Sequence, residues 1–312
     1  MGASAVWVRK MVLVGVMAAS VGLAWVGGAS AAPSSPSQGR IAVVAAENEY
    51  GNVAAQIGGR YVSVSSVESN PNTDPHTYEV SPGVASAVAS AQVVIQNGVG
   101  YDDYMAKIEA ASPNSNRQTI NVQHVLGLPD STPNPHLWYD PTTMPAVAND
   151  LAAAFSKAQP SHAAYFRNHA ATFITSLQPW LNAISAFKAK YDGTAAATTE
   201  PVADYLLTAM GINNLTPFQF QANIMNGVDP SAQDITLENG FFTKHQVKVF
   251  CYNQQVVDGL TSSIRQTAIK AGIPVVGVYE TMPTGYNYQS WMLAEVHAVE
   301  HAVTRGKSTE HL

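Results

Sequence analysis

The sequence predicts an α/β protein of two lobes, each with a mostly parallel sheet flanked by helices, arranged around a long helical spacer. Three observations predict it. Short apolar runs alternate with helical stretches over residues 41–110, as buried parallel strands and their crossovers require. Over 142–191 almost nothing reads as strand, and helix formers dominate. Beyond residue 195 the alternation resumes. With 312 residues there is chain enough for two cores of ordinary size.

Taken in order, residues 41–46 read as a short buried strand and 49–57 as a helix closed by Gly58 and Gly59. A second strand covers 61–64. Ser81 and Pro82 open a helix through Ala89, the serine as cap and the proline at the first helical position. Residues 92–96 form another buried strand, and after Asn97-Gly98 a helix covers 102–110. In the spacer, Pro160 and Pro179 divide the chain into at least two helical segments or one kinked length. The second half continues with a strand at 195–199, a helix at 202–210 ended by Gly211, and a strand at 247–252. A helix at 259–271, a strand at 273–279 and a terminal helix at 290–303 complete it. The tail 305–312 is expected to fray. No internal sequence repeat is visible. The implied division is 33–160 for the first lobe, 161–191 for the connecting helical spacer and 192–312 for the second lobe.

Residues 1–32 read as a signal peptide. Arg9 and Lys10 form the basic region and 11–26 the apolar one. Ala29-Ser30-Ala31 then supplies the small residues that a signal peptidase reads. The apolar run is too short to span a bilayer comfortably. The expected location is therefore periplasmic or secreted. No cysteine stands at the junction, so the mature protein is expected to be free rather than lipid-anchored. Removing Arg9 and Lys10 takes the formal net charge of −6 two units lower, and an acidic surface disfavours nucleic acid. Cys251 is the single cysteine and lies in the apolar run Val249-Phe250-Cys251-Tyr252. It reads as a buried, inert thiol with no disulfide partner.

Nine histidines carry the chemical interest. His162 and His169 sit in the spacer, where a half-buried histidine is the default. His297 and His301 are spaced four apart on the terminal helix, but the carboxylate nearby, Glu300, reads on a different face. His124, read in a short loop segment, and His245 and His311 read as surface. His76 and His136 differ. Each follows a proline, in Asp74-Pro75-His76-Thr77-Tyr78-Glu79 and in Asn134-Pro135-His136-Leu137-Trp138. Each lies between a strand-like segment and a helix start, where α/β sheets place ligands. Asp74 and Asn134 are suited to accept a ring N–H from the neighbouring imidazole. Spacing alone leaves even odds between a metal site and two satisfied loop histidines. In the second half the corresponding strand ends hold acids, Glu200 before Pro201 and Glu280 after Tyr279. Either glutamate alone would read as an exposed or helix-terminal acid.

The ordered motifs make the pattern specific. Ala45-Ala46-Glu47-Asn48 with Ile57-Gly58-Gly59, then Asn72-Thr73-Asp74-Pro75-His76 and Gln96-Asn97-Gly98-Val99-Gly100-Tyr101-Asp102 come first. Asn134-Pro135-His136-Leu137-Trp138, Glu200, and Glu280 with Tyr288-Gln289-Ser290-Trp291-Met292 follow. With these, the chain resembles the zinc- and manganese-binding solute-binding proteins of ABC importers, the metal-specific cluster A-I, over essentially all of its mature length. The resemblance implies two α/β lobes joined by a long rigid helix with the metal in the cleft. It implies His76, His136, Glu200 and Glu280 as ligands and a membrane permease as partner. Three departures stand out. Glu200 takes the position that is histidine in zinc-type members. The His- and Asp-rich loop of many zinc members is missing. Glu280 replaces the usual aspartate and lengthens one ligand arm.

Two imidazoles and two carboxylates suit Zn2+ when four-coordinate, and Mn2+ or Fe2+ when the carboxylates chelate. The expected cargo is Zn2+ or Mn2+, bound by a monomer, with uptake weakening as pH falls through the imidazole range. A metal-dependent hydrolase using the same cleft is the rival. It would keep an open position for water, and no G-x-S-x-G, H-E-x-x-H or phosphate loop occurs. A surface adhesin is the third possibility. The expectation is a carrier, not an enzyme.

Overall fold

The computed structural model describes residues 39–75 and 78–312. The signal-peptide reading and His76 with Thr77 lie outside them. The first lobe runs β1 (Ile41–Glu47), α1 (Asn48–Gly58), β2 (Val62–Glu68), α2 (Pro82–Ser90), β3 (Val93–Gln96), α3 (Asp103–Ala111), β4 (Gln118–Asn121) and α4 (Val122–Val125). A 3-10 turn at Leu137–Tyr139 leads to the helices α5 (Thr143–Ala158), α6 (Ala163–Ser176) and α7 (Gln178–Tyr191). The second lobe follows as β5 (Ala195–Thr198), α8 (Asp204–Ala209), β6 (Asn213–Asn214), α9 (Phe218–Met225) and α10 (Ala232–Thr243). It ends with β7 (Val249–Asn253), α11 (Gly259–Lys270), β8 (Val275–Val278) and α12 (Tyr288–Arg305).

Both sheets are parallel throughout, ordered β2-β1-β3-β4 and β6-β5-β7-β8. Each lobe thus repeats one topology, with β5 in the place of β1, although no sequence repeat announces it. The consequence is positional. Polar residues that follow the apolar strands all gather at the carboxyl ends of the two sheets, where such folds bind ligands. Glu47 and Glu68 end β1 and β2 in paired register, Asn253 ends β7, and Glu200 and Glu280 lie just past β5 and β8.

Local chemistry explains the elements. The Ser81 hydroxyl accepts from the Val84 N–H and Pro82 opens α2, as the Ser-Pro pair predicts. Asn287 and Ser290 form a reciprocal capping box at the start of α12. The spacer is a kinked length. Pro179 has no N–H to give, the chain turns at Leu177, and α7 restarts at Gln178. Leu177, Trp180, Ile184 and Phe187 are buried at helical spacing, so the spacer packs along one stripe.

That stripe joins a single apolar cluster that crosses from one lobe to the other. It contains Tyr50 and Val53 of α1, Trp138 and Tyr139 after the first sheet, Val249 of β7, and Trp291 and Val296 of α12. Polar ties reinforce the joint. Asn48 donates to the Met282 carbonyl at 3.0 Å and accepts from its N–H at 2.9 Å. The Tyr288 hydroxyl donates to the Trp138 carbonyl at 2.7 Å.

Three expectations need correction. The tail does not fray. The Thr309 N–H donates to the Val275 carbonyl, the Gly277 N–H to the Thr309 carbonyl and the Leu312 N–H to the Tyr279 hydroxyl, while Arg265 pairs with Glu310. Backbone pairing along the open edge of β8 holds it. His124 sits not in a loop but in α4, whose first turn is capped by Asn121. Glu300 is not on a face apart from His297, since its carboxylate lies 3.4 Å from His297 Nδ1. The strands β4 and β6 and the helices α9 and α10 were not anticipated.

Candidate metal centre

His136 is fully buried and stands at the entrance to the 3-10 turn, after α4 and a loop rather than directly at a strand end. Its ring Nδ1 lies 2.8 Å from Asn134 Oδ1, which also accepts the His136 backbone N–H at 3.0 Å. The Asn134 amide is oriented by its other end, because Nδ2 donates to the Pro201 carbonyl at 2.8 Å. Nδ1 must therefore carry the hydrogen, and Nε2 presents its lone pair to the cleft. Nε2 lies 3.2 Å from Glu280 Oε2.

Glu280, also buried, reaches this contact from the other lobe. The Tyr101 hydroxyl donates to its Oε2 at 2.9 Å, and Asn253 Nδ2 donates to its Oε1 at 2.7 Å. The same Asn253 nitrogen lies 3.2 Å from Glu200 Oε2. Asn253 Oδ1 accepts the Gln255 N–H, which fixes the amide so that its donors face both carboxylates. One amide thus holds two acids from different loops side by side. Tyr101 and Trp138 present ring edges around His136, at 5.8 Å and 5.4 Å between centroids, and exclude water from it.

Beyond these residues lies a further group of buried carboxyls. Burial, then Asp102, Glu68 and Glu49, hold the Glu47 carboxyl well above its usual range. Burial also raises Glu49, with Glu68 and Glu280 adding repulsion. Asp102 is pushed up to about 6 by burial although it accepts the Asn97 and Gly98 N–H groups. Burial and the neighbouring Glu280 raise the Tyr101 hydroxyl. A cation entering this region would favour the ionised forms of these acids. Cys251 is buried as expected, and burial raises its thiol.

His136, Glu200 and Glu280 are thus brought together, and Asn134 supports the imidazole. Asp74 is half-buried and lines a cavity of about 210 Å3 with Glu68 and Thr281. Among the described residues no group of three His, Cys, Asp or Glu side chains is set closely enough to hold a metal ion. Asn253 stands between Glu200 and Glu280 and bridges them. Sequence reasoning gave no role to Tyr101, Asn253, Gln255 or the buried Glu47 and Glu49. Only the polar Asn253 closing the apolar run of β7 could have signalled one.

Comparison with known proteins shows the family. The family model for ZnuA, the periplasmic component A of a zinc-uptake complex, matches residues 43–302. The manganese-binding lipoprotein MntA of Bacillus subtilis (strain 168) is 28% identical over 177 residues, covering 54% of this chain and 56% of its own. The zinc-binding protein AdcA of Streptococcus pyogenes serotype M3 is 23% identical over 208 residues, covering 64% of this chain and 37% of its own. The match thus spans about half of the MntA length and less of the AdcA length. A mutant structure of the laminin-binding adhesin Lmb of Streptococcus agalactiae shares the fold. Its TM-score is 0.71 at 16% identity, over 85% of this chain and all of that one. On the family match, which covers most of its length, the chain belongs to the ZnuA family of metal-uptake components.

Proposed function

We propose that this protein captures Zn2+ or Mn2+ outside the cytoplasm and delivers it to the permease of an ABC importer. One observation carries the reading: His136 Nε2 and Glu280 Oε2, from opposite lobes, meet at 3.2 Å in a fully buried position. An imidazole lone pair and a carboxylate oxygen at this distance are both electron donors, and a divalent cation between them would bond to each. Glu200, tethered to Glu280 through Asn253, is the third ligand. His76, from the Asp74-Pro75-His76 segment, is the fourth, with Asp74 and Asn134 as supports. Four protein ligands leave no open position for an attacking water, which favours a carrier over a hydrolase.

Metal bound between lobes ties the two sheets together, so loading and release alter the surface that a permease reads. Stripping the protein with chelator and titrating Zn2+ and Mn2+ calorimetrically tests the reading. Tight binding to the wild type, lost in His136→Ala and Glu280→Ala, is expected. A wild type that takes up neither ion removes the proposal.

A further inference from the structure

Gln255 lies two residues beyond β7, is 7% exposed, and uses its whole amide. Oε1 accepts the N–H of Glu280 at 2.6 Å and that of Thr281 at 2.8 Å. Nε2 donates to the Thr73 carbonyl at 2.8 Å and to the Thr281 hydroxyl at 3.1 Å. A primary amide offers two acceptor lone pairs and two N–H donors, and here all four are engaged. The partners belong to different lobes. Thr73 is in the first lobe's loop after β2, whereas Glu280 and Thr281 follow β8.

We infer that Gln255 is a positioning residue for metal retention, a clamp that fixes the Glu280 backbone and the Thr73 loop relative to each other. The inference rests on the proposed capture of metal at Glu280. No other side chain reproduces the pattern. Glutamate keeps the acceptors for Glu280 and Thr281 but turns a lone pair toward the Thr73 carbonyl, cutting one arm of the clamp. Leucine cuts both arms. Asn253, two residues earlier, orients the carboxylate of Glu280 while Gln255 orients its backbone, so this one segment sets both ends of the residue. A groove lined by Asp74, Ile224, Gln255 and Val257 runs past the outer side of the clamp, so the loop has space to move once released.

The test uses the full chain with Q255E and Q255L, loaded with Mn2+ or Zn2+ and mixed with excess chelator. Metal release is expected to speed up about tenfold in Q255E and at least as much in Q255L, in line with the usual cost of losing a ligand's supporting contact. Amide exchange over residues 69–75 of the metal-free protein is expected to accelerate in both. A purely structural role would lower the melting temperature and leave release unchanged. Release from Q255E within about twofold of wild type therefore overturns the inference, whatever happens to stability. A wild type that binds no metal removes the functional reading instead, and the exchange rates then decide alone whether Gln255 holds the loop.

Discussion

At His136 the chemistry turns on which ring nitrogen carries the hydrogen, and Asn134 decides it. Its amide is locked between the Pro201 carbonyl and the imidazole Nδ1, leaving Nε2 for Glu280 or a cation. Asn134→Ala should lower metal affinity by about 10- to 100-fold, as removal of a ligand's hydrogen-bond partner commonly does. It should also cost about 1–3 kcal/mol of metal-free stability, because the buried Pro201 carbonyl and ring N–H lose their partner. Competition against a fluorescent chelator measures the first and denaturant unfolding the second; unchanged affinity would mean that Nε2 is not a ligand atom. Val99 adds a structural oddity nearby. Its φ of 56° places a β-branched residue in the left-handed region, one residue after Gly98 and two before Tyr101. Strain of this kind is held where the surroundings demand it. Here the Val99 N–H donates to Gln123 Oε1 at 2.7 Å, in the turn that brings Tyr101 to Glu280.

Among the elements, the tail on β8 has the clearest consequence. Gly277 lies directly beneath the Glu310 carbonyl, and a Cβ there would collide with it. Gly277→Ala should displace residues 308–312 and cost about 1–3 kcal/mol, the usual range for overpacking. Limited proteolysis should then cut the tail; a tail that stays protected would contradict its docking. This also shows what the sequence could convey. Strands β1, β3, β7 and β8, the Ser81 cap and the helices α1, α11 and α12 were legible because burial leaves long apolar runs and caps leave fixed residues. The tail was not, since its hold is backbone pairing, which Ser308-Thr309-Glu310 does not encode. β6 spans only two residues, and Leu237 of α10 is 44% exposed, which blurs the apolar stripe. The proposed site divides in the same way. His136, Glu200 and Glu280 could be read from their positions and from the family pattern. Asn253 offered only its polar place at the end of β7 and Gln255 no signal, because their roles depend on partners 53 and 182 residues away.

For the whole molecule, the apolar cluster and the Asn48, Tyr139 and Tyr288 ties join the lobes firmly. Small-angle scattering should therefore change little on metal loading, and a large closing rotation would contradict that joint. The buried acids make a second prediction. Burial pushes Glu238 and Glu295 up to about 8, from an ordinary 4.5. Between those values the folded chain holds protons that the unfolded chain has lost. The stability they give is fully present below 4.5 and is lost as pH rises through about 8. The metal-free protein should thus weaken over the range in which neutral imidazoles bind metal best. Glu238→Gln should flatten that slope in thermal unfolding scans across pH; an unchanged slope would show that this carboxyl does not titrate there.

The most direct measurement is anomalous diffraction from metal-loaded crystals, collected at the absorption edge of zinc or manganese. A single peak is expected about 2.0–2.2 Å from His136 Nε2 and from carboxylate oxygens of Glu200 and Glu280, replacing the 3.2 Å contact between the imidazole and Glu280. A peak elsewhere, with that contact intact, would contradict a metal centre shared between the lobes.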